Sequence, residues 1–385
     1  MQIMLKFFGD IIFREKRVLP TWDRRFFFCL LAVNLIGLGG LLWIYSTQDW
    51  YTSWQLIPLI NSIFCTLNLL FIKVPLRPYD RIFSAFSTDG FTWKQESGVR
   101  IDVGGLNESC MVYSPCVVPD GKQWRMFYRG GGYQSSIVSA TSKDGLVWKE
   151  EEGVRIRGKY PFCRVDFPSV VCWPDGTWRM FYAASDGKRW KIFRSKSDDM
   201  LLWKEEDDEE VIVEVESSMK KMNDPFVIPW LDRWRMYFSA FDNEEIRFFT
   251  VLSNDGEKWG KVEECKGFES GEYNIRNAVV VPAEEGYWRM YFSQYGSSII
   301  GSGIVSAVSK DGINWTKEEG SRIKAGGRGS EHGVFCPYIV RVPEGFRMYY
   351  GGYWGAHWGQ LFTLYQHRTK EICSVSQIPN NPKEK

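Results

Sequence analysis

Histidine is scarce in this 385-residue chain: only His332, His357 and His367 occur, all towards the C-terminus. So small a set excludes a His-rich metal centre, and no HExxH, CxxC, GxxxxGKS or GxSxG motif is present. No cofactor and no metal are therefore expected. An excess of charge of one sign is missing too: 48 Lys and Arg face 47 Asp and Glu, a net charge of +1. That balance gives no basic footprint, so no nucleic-acid partner is expected. Close cysteine pairs are absent. The nine cysteines are odd in number and scattered, which argues against a disulfide framework or zinc ribbon and suits small buried hydrophobes in a reducing compartment. What abounds is aromatic side chains: 18 Trp, 18 Tyr and 26 Phe in an otherwise ordinary composition of 44% hydrophobic and 25% charged residues.

The N-terminal part differs from the rest. Phe26 to Tyr45 carries no charge and one strongly polar residue, Asn34. As a helix this run spans roughly 30 Å, the thickness of the bilayer's hydrocarbon core. A weaker apolar run, Leu56 to Ile72, follows and contains Pro58, Asn61 and Asn68. Residues 1–25 carry six basic side chains against three acidic ones, the loop Ser46 to Gln55 has no Lys or Arg, and Lys73, Arg77 and Arg81 come after the second run. The positive-inside rule then predicts a transmembrane helical hairpin over 26–76, with spans at 26–45 and 56–72 and both flanks cytoplasmic. The alternative is a single signal-anchor span that places the bulk of the chain in the lumen or outside. The sequons at Asn107 and Asn314 permit that topology. In the amphipathic segment 1–25, Met4, Phe7, Phe8, Ile11 and Ile12 share one helical face suited to the membrane interface.

From residue 81 onward the sequence repeats itself. One element reads Trp124-Arg-Met-Phe-Tyr, Trp178-Arg-Met-Phe-Tyr, Trp234-Arg-Met-Tyr-Phe, Trp288-Arg-Met-Tyr-Phe and Phe346-Arg-Met-Tyr-Tyr, at intervals of about 54 to 58 residues. A second, S-x-D-G-x-x-W, runs from Ser87, Ser142, Ser253 and Ser309, with a degenerate copy from Ser197 to Trp203. A third is an apolar run, usually led by proline, at Ser114, Phe167, Asp224, Asn277 and Cys336. Short β-branched and aromatic runs bounded by Asp-Gly or Glu-Gly turns are strands, and Asp-Gly suits a hairpin turn that needs positive φ. Four strands per repeat predict an all-β fold over 81–370, a five-bladed propeller of four-stranded blades, followed by a polar tail at 371–385. The third-strand-like copy at Arg81 is expected to complete the last blade. Nine tryptophans, at 93, 124, 148, 178, 203, 234, 259, 288 and 315, then belong to the repeat as packing residues.

At these residues the chain resembles the five-bladed propellers of the arabinanase, levansucrase and invertase superfamily, most closely glycoside hydrolase families 43 and 130. The resemblance implies a central funnel with one carboxylate as general base and another as general acid. Their separation sets the stereochemistry, because a wide gap admits an attacking water and gives inversion. It assigns Asp224 of Asp224-Pro225 as the best catalytic candidate, Asp166 one place early in Asp166-Phe-Pro168, and Glu272 as a general acid. In the first repeat Ser114 stands where a carboxylate is expected, with Glu108 upstream. Arg164 and Arg276 are candidate phosphate or sugar-acid ligands. Glu331, His332, Trp354 and Trp358 are further substrate-binding candidates, the tryptophans by stacking on a sugar ring.

The leading expectation is a membrane-anchored glycoside hydrolase-like protein acting on a glycan or glycolipid, by inverting hydrolysis or by phosphorolysis. Its alternatives are a non-catalytic carbohydrate- or protein-binding propeller and a scaffold subunit with partners in a membrane complex.

Overall fold

The computed structural model of the chain describes residues 79–106, 111–130, 135–205, 211, 221–241, 246–268, 274–295, 302–326, 330 and 333–354. The chain divides into Met1–Leu76 and Arg77–Lys385, and the described residues all belong to the second unit. The amphipathic segment 1–25, the hairpin at 26–76 and the tail at 371–385 lie outside the described residues. Among the residues described, no helix is long and apolar enough to cross a membrane.

Apart from one 3-10 turn at Glu284–Gly286, the regular elements described are strands, as the repeat predicts. They pair antiparallel into five meanders. The first comprises Tyr113–Asp120, Gln123–Gly130, Ser136–Ser142 and Lys149–Glu150. The second comprises Arg164–Cys172, Trp178–Ser185, Trp190–Ser197 and Lys204–Glu205. The third comprises Lys221–Trp230, Arg233–Phe241, Ile246–Ser253 and Glu263–Glu264. The fourth comprises Asn274–Pro282, Trp288–Tyr295, Gly303–Ser309 and Thr316–Lys317. The fifth joins the two ends of the described chain: Gly333–Val342 pairs with Gly345–Trp354, which pairs with Tyr79–Ser87 in register from Tyr79 opposite Trp354 to Ser87 opposite Phe346, and Tyr79–Ser87 pairs in turn with Lys94–Gln95.

The W-R-M-[FY] element is the second strand of each meander, and both of its faces are covered. The methionines, Met126, Met180, Met236, Met290 and Met348, are all fully buried, as are Phe127, Phe181 and Tyr237 on the opposite face. In S-x-D-G the aspartate holds the turn together. Asp144 Oδ1 accepts from Ser142 Oγ (3.0 Å) and from the backbone N–H groups of Leu146 (2.8 Å) and Val147 (2.9 Å), while Gly145 N–H donates to Ser142 Oγ (2.9 Å). These backbone bonds to the charged form keep the Asp144, Asp199 and Asp255 carboxyls below their ordinary range.

The turn tryptophan of each meander packs against the second strand of the preceding one. Trp203 meets Phe127, Trp259 meets Phe181, Trp315 meets Tyr237, Trp93 meets Tyr291 and Trp148 meets Tyr349, with centroids 5.6–6.0 Å apart and rings at 73–88°. Contacts therefore run first to second, second to third, third to fourth, fourth to fifth and fifth back to first. An all-β chain of meanders in this cyclic order is propeller-like. Each edge-to-face pair contributes about 0.5–1.5 kcal/mol beyond its burial.

Candidate functional site

Each inner strand carries one β-bulge, and each bulge begins with a non-glycine residue in the left-handed region: Ser114 (φ 54°), Phe167 (59°), Asp224 (57°), Asn277 (58°) and Cys336 (51°). In four of the five the next residue is proline, which has no N–H to lose where the ladder is interrupted. Such backbone costs about 1–2 kcal/mol per residue and persists only where the surroundings impose it. The five bulges line one cavity of about 40 Å³. Their residues are thus structurally equivalent: Asp224 stands in the ring, Ser114 holds the same place in the first meander, and Asp166 falls one position before the ring residue Phe167.

Asp224 is buried and satisfied. Its Oδ2 accepts from Ser239 Oγ (2.5 Å) and Asn277 N–H (3.2 Å), and its Oδ1 from Asn277 Nδ2 (2.8 Å). The network continues around the axis. Ser293 Oγ donates to Asn277 Oδ1 (3.0 Å) and accepts from Cys336 N–H (2.9 Å), and Ser114 Oγ donates to Cys336 Sγ (3.3 Å). Burial raises the Asp224 carboxyl above its ordinary range, against the opposing pull of Ser239, Arg276 and Asn277. Asp166 is equally buried, with Arg129 Nε 3.2 Å from Oδ1, Arg164 Nη2 3.6 Å from Oδ2, and Tyr113 OH donating to Oδ1 at 3.4 Å. Here too burial outweighs the cations and raises the pKa. Both carboxylates act on the Cys336 thiol, which burial and then Asp224 push well above the ordinary range. Arg129, fully buried, also faces Asp80, whose carboxyl is fully buried and raised to about 8 by desolvation.

A second, larger cavity opens beside the ring. It has a volume of about 240 Å³ and gathers residues of three inner strands, Arg164, Asn223 and Arg276, with Trp190, Phe241 and Ser239. Arg164 and Arg276, far apart in sequence, thus meet at one site. The Arg164 guanidinium carbon lies 5.0 Å from the centre of the Trp190 ring, and Lys221 Nζ lies 5.1 Å from that of Phe241. Ser239 forms part of this wall while bonding Asp224 behind it. Glu108, Glu272, Glu331, His332 and Trp358 lie outside the described residues, and Trp354 is described only as the end of the strand Gly345–Trp354. Arg129, Trp190, Lys221 and Ser239 carry no signal in the repeat as read from sequence, except that Arg129 occupies a row otherwise held by small residues: Ala183, Ser239, Ser293 and Gly351.

No family model matches the chain. Two uncharacterized proteins of Mycobacterium tuberculosis are 37% and 36% identical to it over 75 residues, 19% of this chain and 25% of theirs. The chain thus aligns with about a quarter of the length of these curated relatives. Among solved structures, a thermostable family-43 glycoside hydrolase superposes with a TM-score of 0.51 at 14% identity, covering 64% of this chain and 91% of that one. An endo-arabinase from Bacteroides thetaiotaomicron superposes with a TM-score of 0.52 at 14% identity, over 68% of this chain and 98% of that one. A further glycoside hydrolase reaches 0.54 at 15% identity, over 63% and 86%. The chain has a β-propeller fold shared with glycoside hydrolases. At this identity the likeness is one of scaffold, and chemistry has to be argued from the site.

Proposed function

We propose that the five meanders are the blades of a five-bladed propeller, and that this propeller binds carbohydrate in the cavity between Arg164 and Arg276. One observation carries the reading: side chains of three successive inner strands converge there with the rings of Trp190 and Phe241. Concave sites that combine aromatic faces with a few directed polar groups are what a small polyhydroxylated ligand requires. Asn223, Ser185 and Ser239 supply hydroxyl and amide partners for sugar hydroxyls. The volume of about 240 Å³, just below the ~300–1,000 Å³ usual for small-molecule sites, suits one or two sugar rings rather than a long chain. Titration of the purified full chain with a panel of monosaccharides, followed by tryptophan fluorescence, tests this. Saturable binding weakened about tenfold or more by Trp190→Ala is expected, a loss of about 1.4 kcal/mol. Binding that is indifferent to Trp190→Ala, or no binding at all, overturns it.

A second reading, cleavage of the bound glycoside, is favoured by the two buried carboxyls beside this cavity, whose pKa burial raises in the direction a proton-donating acid needs. Asp224 is the acid on this reading, and Arg164 and Arg276 place a phosphate or sugar acid. Aryl-glycoside turnover, with and without phosphate, is expected to fall by about 10²–10⁴ in Asp224→Asn. Turnover that survives the substitution removes Asp224 from the chemistry. We also propose the hairpin at 26–76 as a bilayer anchor with the propeller on the cytoplasmic side, on the strength of its apolar runs and basic flanks. Glycosylation at Asn314 in cells would contradict that placement.

A further inference from the structure

We infer that the ligand of the Arg164–Arg276 cavity is an anionic saccharide, a sugar bearing a carboxylate or a phosphate ester. The inference rests on the carbohydrate reading above and narrows it. Four cationic side chains line the cavity, Arg164, Lys188, Lys221 and Arg276, and among the described residues no Asp or Glu lines it. They come from the second, third and fourth meanders, so their convergence is a product of the ring and not of one basic run in the sequence. Two carboxylates outside the lining face two of these cations, Asp166 facing Arg164 and Asp224 acting on Arg276. Asp166 is shared between Arg164 and the fully buried Arg129, and Asp224 sits behind Ser239 with three hydrogen bonds already made.

Four cations against two carboxylates, one of them shared with Arg129, leave the described lining with an excess of positive charge, and that excess costs more as water is displaced by a ligand. A neutral sugar leaves it uncompensated, whereas a carboxylate or phosphate relieves it. The guanidinium groups of Arg164 and Arg276 offer forked donors matched to two anionic oxygens, and Lys188 and Lys221 add point charges. The aromatic walls supply what a bare anion does not use. Trp190 and Phe241 present apolar faces against which the C–H side of a pyranose packs, so the site is suited to an anion carried on a ring rather than to a free ion.

Calorimetric titration of the full chain with glucuronate, glucose 6-phosphate, glucose and inorganic phosphate separates the possibilities. At least tenfold tighter binding of glucuronate or glucose 6-phosphate than of both glucose and inorganic phosphate is expected, and which of the two binds tighter identifies the anionic group. That preference should shrink as salt is raised, and should fall severalfold in Lys188→Gln, an exposed position where substitution leaves the fold alone. It should fall at least tenfold in Arg276→Gln. Equal binding of glucose and glucuronate overturns the anionic inference while the carbohydrate reading stands. Inorganic phosphate binding as tightly as glucose 6-phosphate, without glucuronate binding, overturns both, as does the absence of binding by all four probes.

Discussion

Arg129 shows how one side chain reorganises the interior. In the other meanders its position is Ala, Ser or Gly, and at Gly351 the Phe335 ring of the inner strand lies where a Cβ would stand. Here a fully buried guanidinium pairs with Asp166 and acts electrostatically on Asp80. Removing Asp166, its bonded partner, costs more than the pair contributes, because it strands that charge. Asp80 gives a testable pH signature. Its carboxyl titrates at about 8 when folded, against the ordinary 3.8, because burial disfavours the anion. Between those values the folded chain binds a proton that the unfolded chain has lost, so this group's contribution to stability declines as pH rises from about 4 to about 8 and is constant beyond. Asp80→Asn, similar in shape and without charge, is expected to be markedly more stable than the parent at pH 9 and little different at pH 5. Parallel urea-unfolding curves for both proteins at both pH values, with the same difference at each, would refute the assignment.

At the scale of the repeated element, the residue at the glycine position of each turn answers to the side chains that face it. A Cβ at Gly145 would stand 2.6 Å from Tyr349 OH, and one at Gly312 would stand 2.5 Å from Tyr237 OH. The hydroxyls instead donate to the glycine carbonyls, Tyr349 to Gly145 O at 2.8 Å and Tyr237 to Gly312 O at 3.1 Å. The degenerate turn has Met200 at the glycine position with φ 61°, and the facing strand has Phe127, which lacks the hydroxyl and packs with Met200 in one cluster. The departure from S-x-D-G is therefore compensated. Gly145→Ala is expected to destabilise by about 1–3 kcal/mol, from its positive φ and the clash. Phe127→Tyr alone should cost a similar amount by overpacking, and the pair Phe127→Tyr with Met200→Gly should recover most of it, a non-additivity expected of touching residues. Purely additive effects in thermal melts would argue against the coupling.

At the scale of the whole molecule, the sheet of the fifth meander is completed by Tyr79–Ser87, and the contacts Trp93–Tyr291 and Trp148–Tyr349 join this meander to its two neighbours. Without that strand, Gly345–Trp354 becomes an open edge and Tyr291 loses its tryptophan, so both a seam and a sheet are lost together. A chain beginning at residue 99 is expected to aggregate or to unfold at a much lower temperature than the full chain, whereas one beginning at residue 77 should keep a single cooperative transition. Equal melting temperatures for the two truncations would show that closure does not depend on this strand.

The recurrence of W-R-M-[FY], S-x-D-G-x-x-W and the proline-led apolar run, each with one degenerate copy in five, determined, without coordinates, the strand order of each unit and the role of nine tryptophans. Those features are local: positive φ at Asp-Gly, period-two burial and a missing proline N–H act within a few residues and leave a mark at each copy. The site left no such mark. Asp224 could be aligned because its bulge repeats, but the equivalence of Ser114, Phe167, Asn277 and Cys336 around one narrow axis needed the backbone. The meeting of Arg164, Lys188, Lys221 and Arg276 at a separate cavity was decided by the tertiary structure alone. Cations on successive meanders acquire a common field only when curvature brings the strands together, and separation along the chain says nothing about that distance.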